Sequence, residues 1–402
     1  MKIVVKAASV KMGGVLTYIC DFLLHATILE PRSEFVVLLP EETISKLPTQ
    51  PKNVRLVPVP TSNMTALGRV WWEQITLRRL IRRESPDFVY STGNFGMFRC
   101  PTPQMVLVDC SLFFSDLYQK TFLPAHSLRH RMAFKLRRWL TCRSVRWANI
   151  VMTPTQAMLD DLRRFVAVPP HKALANPYGV EGLNGNAQSN HRLADGEATG
   201  KPIRLLYVSL YCEHKDLSTL LKAMPLLNQN GGRRFTLATT ANPAWAVASG
   251  TVTQREDQQL LERPEVSDAV EVVGPLEKEE TQQLYRDADI FVFPSLTESF
   301  GFPLVEGMAH GLPIVAADTP VNREICGEAA LYFRPLDPED LAEKVILLGR
   351  DQALREKLGA MGRGRTATCF RWEDHVERLL RAFRLRTGTA AQQHELCAEG
   401  PS

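Results

Sequence analysis

A chain of 402 residues with 45% hydrophobic and 23% charged residues has the composition of a soluble globular protein and the length of about two to three domains. The net charge of +4 does not by itself mark a nucleic-acid binder, and no apolar run approaches the roughly 18 residues of a membrane span. Eight cysteines (Cys20, Cys100, Cys110, Cys142, Cys212, Cys326, Cys369 and Cys397) are scattered without a Cys-x-x-Cys pair, which speaks against a metal clip and for a reducing compartment.

The chain opens on a strand pattern over 2–8, so no signal peptide is expected ahead of it. Gly13-Gly14 then turns into an amphipathic helix carrying Val15, Tyr18, Ile19, Phe22 and Leu23. Further strands are predicted over 35–39, 54–57, 88–90, 105–108 and 150–153. Ser91-Thr-Gly-Asn94 and Asp109 follow two of them and should face a ligand crevice; Asp109 either orients or deprotonates a substrate hydroxyl or caps a turn.

Residues 117–159 contain no Asp or Glu but hold Lys120, Arg129, Arg131, Lys135, Arg137, Arg138, Arg143 and Arg146. Leu128, Met132, Leu136, Trp139 and Leu140 recur at helical spacing beside them. This predicted basic amphipathic helix, 126–146, is either an element for an anionic membrane surface, where each cation is worth about 1 kcal/mol, or a core-facing helix with a solvated basic face. Nothing resembles a nucleic-acid reading motif, so no nucleic-acid partner is expected.

After an aperiodic Gly-, Asn- and Ser-rich linker, a second alternation places strands over 203–209, 234–238, 270–273, 290–293 and 314–317. The expected fold class is α/β. Two doubly wound Rossmann-like domains, 1–182 and 202–370 with the linker 183–201 between them, face a central cleft. The tail 388–402 lacks an apolar face and is expected to be disordered.

Several loops of the second half carry chemistry. His214-Lys215-Asp216 follows the first of its strands; Lys215 is suited to neutralising a diphosphate, or is a solvated loop lysine, and Asp216 reads as a helix N-cap. Val273-Gly-Pro-Leu276 ends another strand, as a terminator or as backbone able to read a nucleobase edge. The most informative stretch is Glu298-Ser-Phe-Gly-Phe-Pro-Leu-Val-Glu306. Gly301 admits close backbone approach, Pro303 suits a first helical turn, and the helix start offers amides to a phosphate. Glu306 is expected in that first turn, as a helix-dipole residue or a partner of ribose hydroxyls, and Glu298 as a loop charge or an acceptor for sugar hydroxyls. Asp287-Ala-Asp289 precedes a strand, at the wrong end for a metal in the crevice.

Residues 285–317, with Asp287-Ala-Asp-Ile-Phe-Val-Phe-Pro-Ser295, the Glu-x7-Glu spacing and Glu306-Gly-Met-Ala-His-Gly-Leu-Pro-Ile-Val315, resemble the signature of the retaining glycosyltransferases of family 4, which have the GT-B fold. The resemblance implies a nucleoside-diphosphate sugar donor, GDP- or UDP-linked, and a glycan or lipid-linked saccharide acceptor of cell-envelope polysaccharide synthesis. It places Glu306 on the ribose, and Glu298 with the backbone of Phe300, Gly301, Phe302, Pro303 and Leu304 on the sugar and diphosphate. It sets Lys215 and Ser209 beside the phosphates, Val273 by the base, Gly13 and Gly14 near donor and acceptor, and Asn94 and Asp109 on the acceptor side. Glu298, Lys215 and Asp109 are thus the expected catalytic residues. The resemblance also implies no metal and no cofactor, and a last helix, 371–387, that returns to the N-terminal domain.

Two departures stand out: Ser209-Leu210 replaces the Gly-Arg of many relatives, and Val108-Asp109 replaces a strand-end His. They keep alternatives open: a non-catalytic sugar-nucleotide-binding subunit, a nucleotide-sugar epimerase, or a phosphorylase, for which the chain is short. The expected location is cytoplasmic, possible also as a peripheral protein on the inner face of the membrane.

Overall fold

The computed structural model describes residues 1–8, 14–45, 47, 49–61, 64, 66–180, 201–229, 234–245, 251–274 and 276–387. Gly13, nearly all of the expected linker and the tail 388–402 lie outside the described residues.

Two compact units account for the chain. Among the described residues the first contains seven parallel strands: β1 (Lys2–Lys6), β2 (Glu34–Pro40), β3 (Val54–Val59), β4 (Phe88–Ser91), β5 (Gln104–Leu107), β6 (Ile150–Thr153) and β7 (Ala173–Ala175). Their spatial order is β3-β2-β1-β4-β5-β6-β7. The second contains six: β8 (Ile203–Tyr207), β9 (Phe235–Thr239), β10 (Val270–Val272), β11 (Ile290–Phe293), β12 (Ile314–Ala317) and β13 (Ala330–Phe333), ordered β10-β9-β8-β11-β12-β13. Helices cover both faces of such parallel sheets, so the strands are near-continuous apolar runs; every residue of β11 and β12 is buried. In both sheets the order reverses beside the first strand, between β1 and β4 and between β8 and β11. Crevices at these switch points are where open α/β sheets take ligands. The short strands β7 and β13 were not expected; each lies at the end of its sheet.

The helix Trp372–Thr387 belongs to the first unit. Phe383 packs on Phe88 with ring centroids 4.4 Å apart, and Arg378 Nε donates to Asn176 Oδ1 at 2.7 Å. The core there is partly polar. His375 Nδ1 lies 2.8 Å from the Pro177 carbonyl, and its Nε2 lies 3.0 Å from the Tyr18 hydroxyl, itself 2.6 Å from that of Tyr90. Burial pushes His375 down to about 3, so the ring is neutral, with Nδ1 donating to the carbonyl and Nε2 accepting from Tyr18.

The domain boundary needs one correction. Residues 115–131, expected in the N-terminal domain, belong to the second unit, which comprises Ser115–Arg131 and Val180–Phe370. Tyr118 and His126 in this segment bind Glu213, a tie spanning nearly a hundred residues that no local pattern signals.

The basic helix runs over Leu128–Trp147 rather than 126–146, and it does not turn its apolar stripe to the core as the core-facing alternative required. Phe134, Thr141, Cys142, Ser144 and Val145 point inward, while Leu128 (72% exposed), Met132 (62%), Leu136 (48%) and Trp139 (53%) stand in solvent. Arg138 lies over the Phe165 ring at 4.7 Å and Arg143 over Trp139 at 5.7 Å; Arg129, Arg131, Lys135, Arg137 and Arg146 are exposed. No helix among the described residues is long and apolar enough to cross a membrane.

Candidate active site

In the second unit, the loops after β8 and β11 leave the sheet on either side of its switch point. The first forms a short helical turn, Glu213–Lys215; the second carries Glu298. They meet: Lys215 Nζ donates to Glu298 Oε1 at 2.5 Å, and Leu296 N donates to the His214 carbonyl at 2.9 Å. Tyr207 OH, at the end of β8, donates to the Lys215 carbonyl at 2.6 Å and fixes the turn from below. The cation expected on a diphosphate and the carboxylate expected on a sugar therefore pair with each other. Lys215 keeps 20% of its side-chain surface exposed and Glu298 10%, so the pair is partly open to a ligand.

His214 is driven down to about 3, chiefly by burial and then by the Lys215 charge, so it is neutral at physiological pH. Asp216 caps the next helix, its carboxylate accepting from Thr219 N at 3.4 Å, with φ 51° in the left-handed region. Ser209 N–H donates to Thr240 Oγ1 at 2.9 Å, which in turn donates to the Ser209 carbonyl at 3.0 Å. The Ser209 amide is therefore engaged, and Leu210, in the place of the relatives' arginine, is exposed.

The helix after Glu298 is Phe302–Ala309, with Gly301 as N-cap at φ 86° and Pro303 in the first turn. Glycine is needed here because side chains rarely adopt that φ. Phe300 and Leu304 are buried, Phe300 against the rings of Phe302 and Phe370, so they can offer a ligand only backbone. Glu306 is not in the first turn, as expected, but at the fifth helical position, too deep for the helix dipole to explain it. Its carboxylate accepts from Tyr285 OH at 2.8 Å, and burial raises its pKa. Val273 N–H donates to the Thr239 carbonyl at 2.9 Å and is thereby unavailable to a base. Asp289 Oδ2 accepts from Arg204 N at 2.8 Å, at the amino ends of β8 and β11 and away from this site. Among the described residues no three His, Cys, Asp or Glu side chains are grouped to hold a metal.

Glu213 is a residue that sequence reasoning missed. It is buried two residues before Lys215; Oε1 accepts from Tyr118 OH at 2.8 Å and lies 2.6 Å from His126 Nε2, and Oε2 accepts from Val252 N at 2.9 Å. Tyr118, His126 and the Val252 amide on Glu213, with Leu296 N on His214 and Tyr207 on Lys215, thus hold the turn that presents Lys215.

In the first unit Asn94 and Asp109 also come together. Asn94, at φ 71°, donates from Nδ2 to Asp109 Oδ1 at 2.7 Å, and its Oδ1 accepts from the amides of Asp109 and Cys110, both at 2.8 Å. Burial raises the Asp109 carboxyl to about 6 against the lowering effect of Asn94. Such a group is ionised at neutral pH and still basic enough to take a proton. Gly14 begins the helix Gly14–Leu29 after β1.

The model of the glycosyl transferases group 1 family matches residues 191–365, and that of glycosyltransferase family 4 matches residues 12–181. The chain is 28% identical over 183 residues to the O-antigen chain mannosyltransferase B of Escherichia coli, a match covering 45% of each chain. It is 28% identical over 247 residues to the MMP alpha-(1->4)-mannosyltransferase of Mycolicibacterium hassiacum, covering 59% of this chain and 56% of that one. The match thus spans about half the length of these curated relatives. HepE from Anabaena, solved in complex with UDP-glucose, is similar in structure with a TM-score of 0.67 at 17% identity, covering 94% of this chain and 99% of that one.

Proposed function

We propose that this chain, which belongs to the group 1, family 4 type glycosyltransferases and has their Rossmann-like two-domain GT-B fold, moves a hexose from a GDP- or UDP-linked sugar to an acceptor hydroxyl with retention of configuration. The observation that carries this reading is the Lys215–Glu298 pair at the switch point of the second sheet, beside the helix start at Gly301. When the bond between the anomeric carbon and the phosphate oxygen breaks, the electron pair stays on the diphosphate. Lys215 and the backbone around Gly301 stabilise that charge. Released from Lys215, Glu298 accepts from sugar hydroxyls, and Glu306 from the ribose. On the acceptor side, Asp109, held by Asn94, orients or deprotonates the hydroxyl that forms the new bond.

The mannosyltransferase relatives and the UDP-glucose complex of HepE support a nucleotide-sugar donor and a saccharide acceptor; a lipid-linked acceptor of envelope polysaccharide synthesis fits the exposed basic helix Leu128–Trp147. In this reading Leu128, Met132, Leu136 and Trp139 enter the interface of an anionic inner-membrane leaflet, flanked by exposed cations. Salt-sensitive binding to phosphatidylglycerol vesicles, reduced by Arg131→Gln, Lys135→Gln and Arg137→Gln together, is expected; equal partitioning of both forms would point to a soluble acceptor.

The deciding experiment is a panel of labelled sugar nucleotides assayed for transfer and for donor hydrolysis, with and without EDTA. Transfer that survives EDTA is expected. Binding without turnover would indicate a non-catalytic subunit, conversion of the sugar without an acceptor an epimerase, and transfer restored only by Mn²⁺ a metal-dependent enzyme.

A further inference from the structure

The second unit presents a tryptophan that the donor reading has not used. Trp245 follows β9 in the short turn Pro243–Trp245 and is 58% exposed, although tryptophan is on average a highly buried residue. The turn is well held. Pro243 is buried and its carbonyl accepts from Gln254 Nε2 at 2.7 Å, Trp245 N donates to the Asn242 carbonyl at 3.0 Å, and Asn242 Oδ1 accepts from Ala244 N at 2.8 Å.

One edge of the indole rests on Gly274. A Cβ at that position would lie 2.3 Å from Cζ3 and 2.9 Å from Cη2 of Trp245, and Gly274 has φ +74°. Glycine is therefore required there twice, for its backbone conformation and to seat the ring. The tryptophan as a whole nevertheless stays more than half exposed.

The ring stands at the carboxyl ends of β9 and β10, on the same edge of the sheet as the residues assigned to the diphosphate and the ribose. Two connections tie it to them. Thr240, in the loop that leads to Trp245, is bonded in both directions to Ser209, in the loop that leads to Lys215. From Gly274 the chain soon enters the helix Lys278–Asp287, whose Tyr285 hydroxyl donates to Glu306 and whose Lys278 charge lowers the Glu306 pKa against burial. In a nucleoside diphosphate, phosphate, ribose and base follow in that order. The base must lie beyond the ribose, and a fixed, exposed aromatic face on this edge is suited to receive it.

We infer that Trp245, seated on Gly274, is the stacking platform for the nucleobase of the donor. This inference rests on the donor-site reading above. Stacking is tolerant of base identity because every base has a π-face. The platform therefore supplies affinity, and the choice between uracil and guanine falls to polar groups of the neighbouring loops.

The test is calorimetric titration of the full chain with UDP, GDP and inorganic pyrophosphate, for the wild type and for Trp245→Ala, Trp245→Phe and Gly274→Ala. Trp245→Ala should weaken whichever nucleotide the wild type binds by about 10- to 100-fold, the scale of one base–aromatic stack. Pyrophosphate binding should not change, Trp245→Phe should recover most of the loss, and Gly274→Ala should reproduce part of it by displacing the ring. With turnover, KM for the donor should rise far more than kcat falls. Nucleotide affinity within twofold of wild type in Trp245→Ala would overturn the platform while leaving the donor site standing. A wild type that binds neither nucleotide would overturn both.

Discussion

Two of the buried or partly buried lysine–glutamate pairs among the described residues, one in each unit, make an instructive comparison. Lys6 lies at the end of β1, 2% exposed, and donates to Glu73 Oε1 at 2.8 Å and to the Phe95 carbonyl at 2.6 Å. Lys215 lies on a loop, 20% exposed on its side chain, and pairs with Glu298. The chemistry is the same, but the supports differ. Lys6 sits in a strand with a second acceptor and almost no water. Such a pair is a strut, because separating it leaves a desolvated charge. Lys215 and Glu298 reach each other from two loops at a switch point, where a phosphate and a sugar can take each partner in turn. What distinguishes structure from site is therefore the access around the charges and the elements that carry them.

This contrast can be broken or sharpened by mutation. The largest effect is expected at the strut. Glu73→Ala should destabilise the first unit by about 3–5 kcal/mol, seen as a lowered midpoint in urea denaturation, with little change in donor affinity. Next is Lys215→Ala, which should lower kcat/KM by about 2–4 kcal/mol while leaving the melting temperature nearly unchanged. Lys215→Arg should rescue it only partly, since a planar fork does not replace an ammonium. An alanine variant that lost stability instead of activity would make this pair a strut as well.

Glu306→Ala should weaken nucleotide-sugar binding by about 1.5–3 kcal/mol, the value of a lost charged hydrogen bond, measured by equilibrium dialysis. Tyr285→Phe, which removes only the donor to Glu306, should cost less. The smallest effect concerns pH. Burial raises Asp109 to about 6, so if it takes the acceptor proton, as proposed, transfer should fall as pH drops through about 6. Asp109→Asn should remove that limb. Stability runs the other way: a carboxyl raised from 3.8 to about 6 favours the folded unit fully below the lower value and loses that contribution as pH rises through the higher.

The sheets were legible in the sequence because parallel strands buried on both faces, such as Ile290–Phe293, must be apolar runs. Glu298, Gly301 and Lys215 were legible because loop backbone constraints and chain order place them at strand ends. Glu213 was not, since its partners Tyr118 and His126 lie on a segment whose membership in the second unit is set by tertiary contact alone. The depth of Glu306 in its helix depended on Phe302 rather than a later residue opening the first turn, and helix boundaries are poorly written in sequence. Which face of the basic helix turns inward was not legible, because its apolar residues keep helical spacing whichever face does.

The most direct test of the Lys215–Glu298 pair is the affinity for a nucleoside diphosphate without its sugar, compared among wild type, Glu298→Gln and Lys215→Ala. If the pair opens onto the donor, Glu298→Gln should bind the diphosphate at least as tightly as wild type, because the amide no longer competes for Lys215 or repels phosphate, while sugar transfer falls. Lys215→Ala should bind it weakly. Equal weakening by both substitutions would show that the pair acts only as a unit, as Lys6 and Glu73 do, and would contradict the assignment of Lys215 to the leaving group.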